Sequence, residues 1–292
     1  MLDNKYLTEK IAIIAGRGLL PKILIDDCQK RGQEFLLFLL DSEQYEIDYS
    51  KFNPIILPYG GISKILEIIK SSQIENLVLV GAVNKPNFTT IKVDKKGALL
   101  VSKILTKKIL GDNSVLQTVI DFFEKEGLKI LTIDQLLSDI VSKEGVLTKL
   151  APNNDDLENI KIATNAIKTM SYLDIGQSVI MAQKQIIAVE ALEGTDNLIK
   201  RCGELNAEFK KDAILVKLKK TGQTKKADLP VIGLDTIKNC HDSGIKGIAI
   251  ESGATLIINK EQVIKAADEL GLFIISIKRP KISNFSFLKH CL

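Results

Sequence analysis

Three carboxylates, Glu190, Glu193 and Asp196, recur at three-residue intervals in "VEALEGTD", with Gly194 and Thr195 between the last two. An apolar run precedes them. Two readings fit this spacing: a strand running into a solvated polar turn, and an oxygen-ligated site for a hard cation and a phosphate. Histidine is too scarce for an imidazole metal site, with only His241 and His290 in the chain. The four cysteines, Cys28, Cys202, Cys240 and Cys291, lie far apart and lack zinc-finger spacing. Any cation here therefore rests on carboxylates. Two further polar stretches flank this one. In "LDIGQS", Asp174 and Gln177 bracket Gly176; in "VKLKKTGQTKKADLPVIG", five lysines fall between Lys217 and Lys226, and Asp228 precedes a rigid apolar "LPVIG". A lysine run is usually a solvated segment, and it is also what a pyrophosphate or an anionic headgroup requires. A carboxylate at a rigid boundary such as Asp228 can be held still, as catalysis demands.

The N-terminal half offers a second set. "AGRGLLP" has the first two glycines of a dinucleotide fingerprint, Gly16 and Gly18, followed by Leu19, with Pro21 where the third glycine belongs. Such a turn brings backbone N–H groups towards phosphate at a helix N-terminus; a tight turn that simply needs glycine has the same signature. Asp41 ends the next apolar run, where a ribose-binding acid is expected, which keeps a nicotinamide cofactor open. "VGAVNKPNF" repeats the pattern with Gly81 and Lys85, and "GDNSVL" places Asp112 at the start of a helix, where an N-cap is the plain reading.

Positioning these residues falls to alternating elements. Continuous apolar runs at Ile11–Ala15, Phe35–Leu40 and Leu77–Val80 read as strands buried on both faces, and helical patterns lie between them. This alternation implies a parallel sheet covered by helices. The stretch Ser142–Ile160 carries Gly, Pro, Asn and Asp without a long apolar run and reads as a linker and the start of a second domain, with the linker set at 134–156. A second α/β domain follows: a helix over Leu157–Met170; strands at Ser178–Ala182, Ile186–Val189, Ala213–Leu218 and Gly247–Glu251; a hairpin-like "GATLIINK"; a helix at Lys260–Leu270; and a last strand in "GLFIISI". The expected division is 1–133, 134–156, 157–278 and a basic tail at 279–292.

Bulk properties narrow the function. The 292 residues carry 45% apolar and 26% charged side chains, with a net charge of only +4 and no Trp, which argues against a nucleic-acid binder. No apolar run approaches the length of a membrane span, and cysteine usage fits a reducing cytoplasm.

The motifs "IAGRGLLP", "VGAVNKPNF", "GDNSVL", "FFEKEGLKI", "LDIGQSV", "VEALEGTD", "ADLPVIG" and "GIAIESGATLI" together resemble the bacterial UDP-2,3-diacylglucosamine pyrophosphatase family of lipid A biosynthesis, from about Ile11 to Ile277. The resemblance implies a Rossmann-like N-terminal domain, a C-terminal α/β domain peculiar to the family, and a ligand between them. It also implies Mg²⁺-dependent hydrolysis of UDP-2,3-diacylglucosamine to lipid X and UMP. The family's essential aspartate falls, by motif, on Asp228. The chain departs from the pattern at Arg17, where a smaller residue is usual, and in the tail after Ile277. Candidate metal ligands are Glu190, Glu193, Asp196 and Asp228; candidate substrate contacts are Gly16, Gly18, Leu19, Gly81, Lys85, Asp112, Asp174, Gln177, Thr195 and Lys217. The expected setting is cytoplasmic. A lipid substrate adds transient peripheral contact with the inner membrane, and the family allows a homodimer. The alternatives are a nicotinamide-dependent oxidoreductase resting on Gly16, Gly18 and Asp41, and a non-catalytic nucleotide- or lipid-binding protein.

Overall fold

A computed structural model describes residues 4–84, 91–107, 112–173, 175–220 and 229–279. The chain divides into two compact units, the first reaching Ile140 and the second starting at Val141. The first contains β1 (Ile11–Ala15), α1 (Leu20–Lys30), β2 (Phe35–Leu40), β3 (Ile55–Leu57), α2 (Ile62–Ser71), β4 (Asn76–Val80), α3 (Lys95–Lys107), α4 (Asp112–Lys125), β5 (Lys129–Ile130) and the single turn α5 (Ile133–Leu136). Its five strands pair in the order β3-β2-β1-β4-β5, parallel throughout. That order reverses between β1 and β4. In a sheet of this kind the crevice for ligands opens there, beyond the carboxyl ends of the strands.

The sequence explains these elements. β4 is buried at every position and β1 at all but one, as strands covered on both faces must be. α1 buries Pro21, Leu24, Ile25 and Cys28, and α2 buries Ile62, Ile65 and Ile69, each a single helical stripe. Phe38, Ile65, Ile69, Leu77, Ile120 and Phe123 share one core.

The second unit contains β6 (Gly145–Val146), α6 (Asn154–Ser171), β7 (Ser178–Ala182), β8 (Gln185–Val189), α7 (Thr195–Gly203), β9 (Ala213–Lys217), β10 (Val231–Ile232), α8 (Leu234–Asp242), β11 (Ile245–Glu251), β12 (Leu256–Ile257), α9 (Lys260–Glu269) and β13 (Phe273–Ile277). Six strands form a mixed sheet, β6-β13-β11-β9-β7-β8. β9, β11 and β13 are parallel; β6, β7 and β8 run against their neighbours. Alternate residues feed two cores. Val179, Met181, Ile214 and Val216 face Ile160, Ala163 and Ile167 of α6. Ile180, Ala182, Ala213 and Leu215 join Leu198, Ile237 and Val263 of α7, α8 and α9.

Two expectations need correction. "GATLIINK" is not a hairpin: β12 pairs in parallel with β10, and Asn259 already precedes α9. Two consecutive apolar residues suffice for such a short pairing, and their sequence does not name the partner. The stretch 134–156 is not a bare linker either. β6 joins β13, Ser142 N–H donates to Thr255 O at 2.8 Å, and Asn153 with Asp156 forms the capping box that starts α6. Polar, glycine-containing sequence here serves an edge strand and a helix cap.

Candidate functional site

β9 ends on Lys217, whose register partners are Ser178, the first residue of β7, and Ile250 near the end of β11. The residues around that end of the sheet are polar yet buried. Lys217 keeps only 8% of its exposure, Glu190 7% and Ser178 none. Ions so enclosed must be hydrogen-bonded. Lys217 Nζ donates to Thr195 Oγ1 at 2.9 Å, and Thr195 Oγ1 donates to Glu190 Oε1 at 3.1 Å. Ser178 Oγ lies 3.1 Å from the same hydroxyl. Thr195 has one proton and gives it to Glu190, so Ser178 is the donor in that contact. The second oxygen of Glu190 accepts from Gln177 N–H at 3.0 Å. The Thr195 hydroxyl thus joins a lysine to a glutamate.

Local backbone chemistry brings these motifs together. Gly176 is buried, and a Cβ there would stand 2.3 Å from Glu190 O, so only glycine lets "LDIGQ" lie against "VEALEGTD". Gly194 takes φ of 78°, which turns the chain directly into α7. Thr195 is the first residue of α7 and Asp196 the second, so the network sits at the positive end of that helix. "VEALEGTD" is therefore a strand end, a turn and a helix start.

Of the candidate metal ligands, Glu190, Glu193 and Asp196 lie among the described residues, and they do not converge. Among the described residues, no three His, Cys, Asp or Glu side chains form a group that could hold an ion. Glu190 is engaged as above. Glu193 accepts from Arg201 Nη2 at 3.0 Å and from Ala191 N–H at 3.1 Å. Its own backbone N–H, then Arg201, hold its carboxyl below the usual range. Asp196 is exposed. Of the predicted set, the structure brings together Gln177, Glu190, Thr195 and Lys217. Lys85, Asp174 and Asp228 lie outside the described residues, as does the side chain of Asp112, which opens α4.

In the first unit, Gly16 and Gly81 follow β1 and β4 at the point of strand reversal. Their role is close approach. A Cβ on Gly16 would lie 2.3 Å from Ala82 O, and one on Gly81 2.7 Å from Arg17 O. Gly16 N–H donates to Val80 O at 2.8 Å and Arg17 N–H to Ala82 O at 2.7 Å, so these donors are spent within the protein rather than turned to a phosphate. Gly18, with φ of 90°, and Leu19 are exposed. Arg17, between the two glycines, belongs to a polar cluster that was not among the expectations. Arg17 Nε lies 2.9 Å from Glu43 Oε2, and Arg17 Nη2 donates to Asn84 Oδ1 at 2.7 Å. Glu43 also accepts from Asn84 N–H at 2.6 Å and from the Tyr59 hydroxyl. Burial, then the bond to Glu43, pushes the Tyr59 phenol upward in pKa. Arg17 was visible in sequence as a departure; Glu43 and Asn84, separated by forty residues, carried no joint signal. Asp41 is exposed and accepts from its neighbour Ser42.

Residues 10–140 match the LpxI N-terminal domain and residues 143–275 the LpxI C-terminal domain. The chain belongs to the LpxI family. It is 30% identical, over 273 residues, to UDP-2,3-diacylglucosamine pyrophosphatase LpxI of Caulobacter vibrioides (strain ATCC 19089 / CIP 103742 / CB 15), covering 92% of this chain and 97% of that protein. In this LpxI member both domains are α/β, and the N-terminal sheet is parallel. The Lys217–Thr195–Glu190 network lies wholly within the stretch that matches the LpxI C-terminal domain.

Proposed function

We propose that this protein hydrolyses the pyrophosphate of UDP-2,3-diacylglucosamine, releasing 2,3-diacylglucosamine 1-phosphate (lipid X) and UMP, a step of lipid A biosynthesis. The observation that carries the reading is the end-to-end likeness to the Caulobacter pyrophosphatase. The buried Lys217–Thr195–Glu190 network at the positive end of α7 supports it, because a diphosphate needs cationic and N–H donors fixed in advance. In the reaction, water oxygen bonds to one phosphorus, the bridging P–O bond breaks, and the water loses a proton. Asp228 is the residue proposed to orient or deprotonate that water. Lys217 steadies the anion, and Glu190 holds Thr195 and, through it, Lys217.

Mg²⁺, when bound, would neutralise diphosphate charge and acidify water. Glu190 and Glu193 each accept a hydrogen bond on both oxygens, which holds the carboxylates in place and leaves lone pairs for an ion. With Asp196, in the first turn of α7, and Asp228 they are the carboxylates that would hold it. Such an ion commonly takes one or two protein carboxylates and completes its shell from substrate and water. The proposal includes a cytoplasmic protein that meets the inner membrane transiently to collect its lipid, and a homodimer. Among the described residues, no helix is long and apolar enough to cross a membrane. The nicotinamide reading has less support, because the Gly16 and Arg17 N–H groups are engaged.

The test is direct. Pure protein incubated with UDP-2,3-diacylglucosamine and Mg²⁺ should yield UMP and lipid X. EDTA should stop the reaction and Mg²⁺ restore it. Asp228→Ala should bind substrate without turning it over. Absence of UMP from the native protein would end the reading, and NAD(H) binding would favour the oxidoreductase.

A further inference from the structure

α3 is held firmly within the first unit. Its inner stripe is Gly97, Leu100 and Ile104, all buried, and the two aliphatic residues join the core that α2 and α4 share. Gly97 permits the contact, since a Cβ there would run into Gly60 O. Asp94 ties two helix starts together, accepting from Gly97 N–H at 2.8 Å and from Ser63 N–H of α2 at 2.7 Å. The face that α3 turns outward is therefore fixed in place.

That outward face is poorly suited to water. Ala98, Leu99, Ser102, Leu105 and Thr106 are all exposed, and none is charged. At about 100° per residue they fill one arc of roughly 120°. Leu99 keeps 54% of its exposure and Leu105 42%; Val93, just ahead of the helix, keeps 41%. Thr106 spends its hydroxyl on Lys103 O at 2.9 Å. A surface helix ordinarily places its charges on such an arc, and a contiguous uncharged one marks an interaction site.

Charge says what covers it. From Lys92 to Lys107 the sequence has five lysines, Lys92, Lys95, Lys96, Lys103 and Lys107, and one acid, Asp94. Asp94 is spent on the two helix starts, and Lys96 pairs with Glu126. Lys92, Lys95 and Lys103 are exposed. Leucines bordered by lysines on one helix suit the headgroup boundary of an anionic bilayer: the acyl region takes the apolar side chains and the phosphates take the ammonium groups.

We propose that the outward face of α3, carried by Leu99 and Leu105 and bordered by Lys92, Lys95 and Lys103, is the surface by which this protein rests on an anionic lipid bilayer. The inference deepens the pyrophosphatase reading and rests on it for the source of the partner, because the acyl chains of the substrate bring the protein to a bilayer.

The experiment sediments the full chain with vesicles of phosphatidylcholine, with and without phosphatidylglycerol, in the absence of substrate. Native protein should bind when phosphatidylglycerol is present, and raised salt should weaken the binding. Leu99→Asn/Leu105→Asn should lower the partition coefficient about tenfold, and so should Lys95→Gln/Lys103→Gln. Leu157→Asn/Leu205→Asn, at exposed leucines of the second unit, should leave it unchanged. Thermal melts identify folded variants; if a double variant does not fold, its single substitutions decide. Failure of the native protein to bind phosphatidylglycerol vesicles, or native binding by either α3 variant, would overturn the proposal. So would a dimer that forms without vesicles and is lost in Leu99→Asn/Leu105→Asn, which would give this face to a second copy of the chain. Because no substrate is used, loss of vesicle binding counts against this surface, whereas missing UMP counts against the pyrophosphatase reading.

Discussion

Thr195 Oγ1 and Lys217 Nζ stand 2.9 Å apart, and the hydroxyl that receives the lysine passes its own proton to Glu190. A side chain of the same shape without the hydroxyl leaves three buried polar groups short of a partner. Thr195→Val should therefore destabilise the fold by about 2 kcal/mol, measured by urea unfolding, and reduce kcat more strongly than Thr195→Ser. Equal stability of Thr195→Val and native protein would remove the hydroxyl from its bridging role.

Gly16 and Gly18 look alike in sequence and should respond differently. Gly16→Ala drives a methyl into the Ala82 carbonyl and should cost about 2 kcal/mol or more, because backbone cannot step aside cheaply. Gly18→Ala meets open space and bears only the left-handed backbone, a cost of about 1 kcal/mol. Denaturant midpoints of the two variants check the order.

Lys246 Nζ lies 2.9 Å from Asp156 Oδ1 and 3.1 Å from Asp212 Oδ1. Burial pulls its pKa down, but the bonds to Asp156 and Asp212 outweigh it, and the ammonium ends above its ordinary 10.5. A raised folded pKa means a stabilisation complete below 10.5 and lost as pH climbs through the folded value. The stability difference between native protein and Lys246→Gln should thus be constant near neutrality and shrink only in strong alkali. A difference that vanished already near pH 8–9, about two units lower, would contradict the assignment.

Burial pushes the Cys28 thiol up to about 12, and it also raises Cys202 and Cys240. Their thiolates are scarce at neutral pH, and all three side chains are buried. Iodoacetamide should spare these three in the folded protein and modify them in guanidinium chloride. Peptide mapping distinguishes them from Cys291.

Much of the architecture was legible because it rests on simple periodicities. Ile11–Ala15, Ser178–Ala182 and Ala213–Lys217 are continuous apolar runs, and α6 announces itself by a polar cap and a buried stripe. α7 went unread because "TDNLIKRCG" is short and mostly polar, although Thr195, Leu198, Ile199 and Cys202 form its buried stripe. Within the site, Glu190 was expected as a metal ligand and Thr195, Gln177 and Lys217 as substrate contacts; the hydrogen bonds that join them to one another were not expected. Three carboxylates at equal spacing suggested a shared ion; the turn at Gly194 sends Glu190 inward, Glu193 to Arg201 and Asp196 outward. Side-chain direction after a turn depends on backbone angles that a one-dimensional spacing does not contain. Glu43 and Ser142 were missed for a related reason: each acts on residues far away in the chain.

The placement of β13 also bears on how the protein is made. Among the described residues β13 is the last strand, and it does not add to an edge of the second sheet; it slots between β6, at residues 145–146, and β11, at residues 245–251. A chain emerging from the ribosome therefore carries an incomplete sheet, with one flank of β11 open, until β13 has been synthesised. Messages truncated even slightly before Phe273 would produce polypeptides that keep that apolar flank exposed, natural substrates for chaperones and proteases.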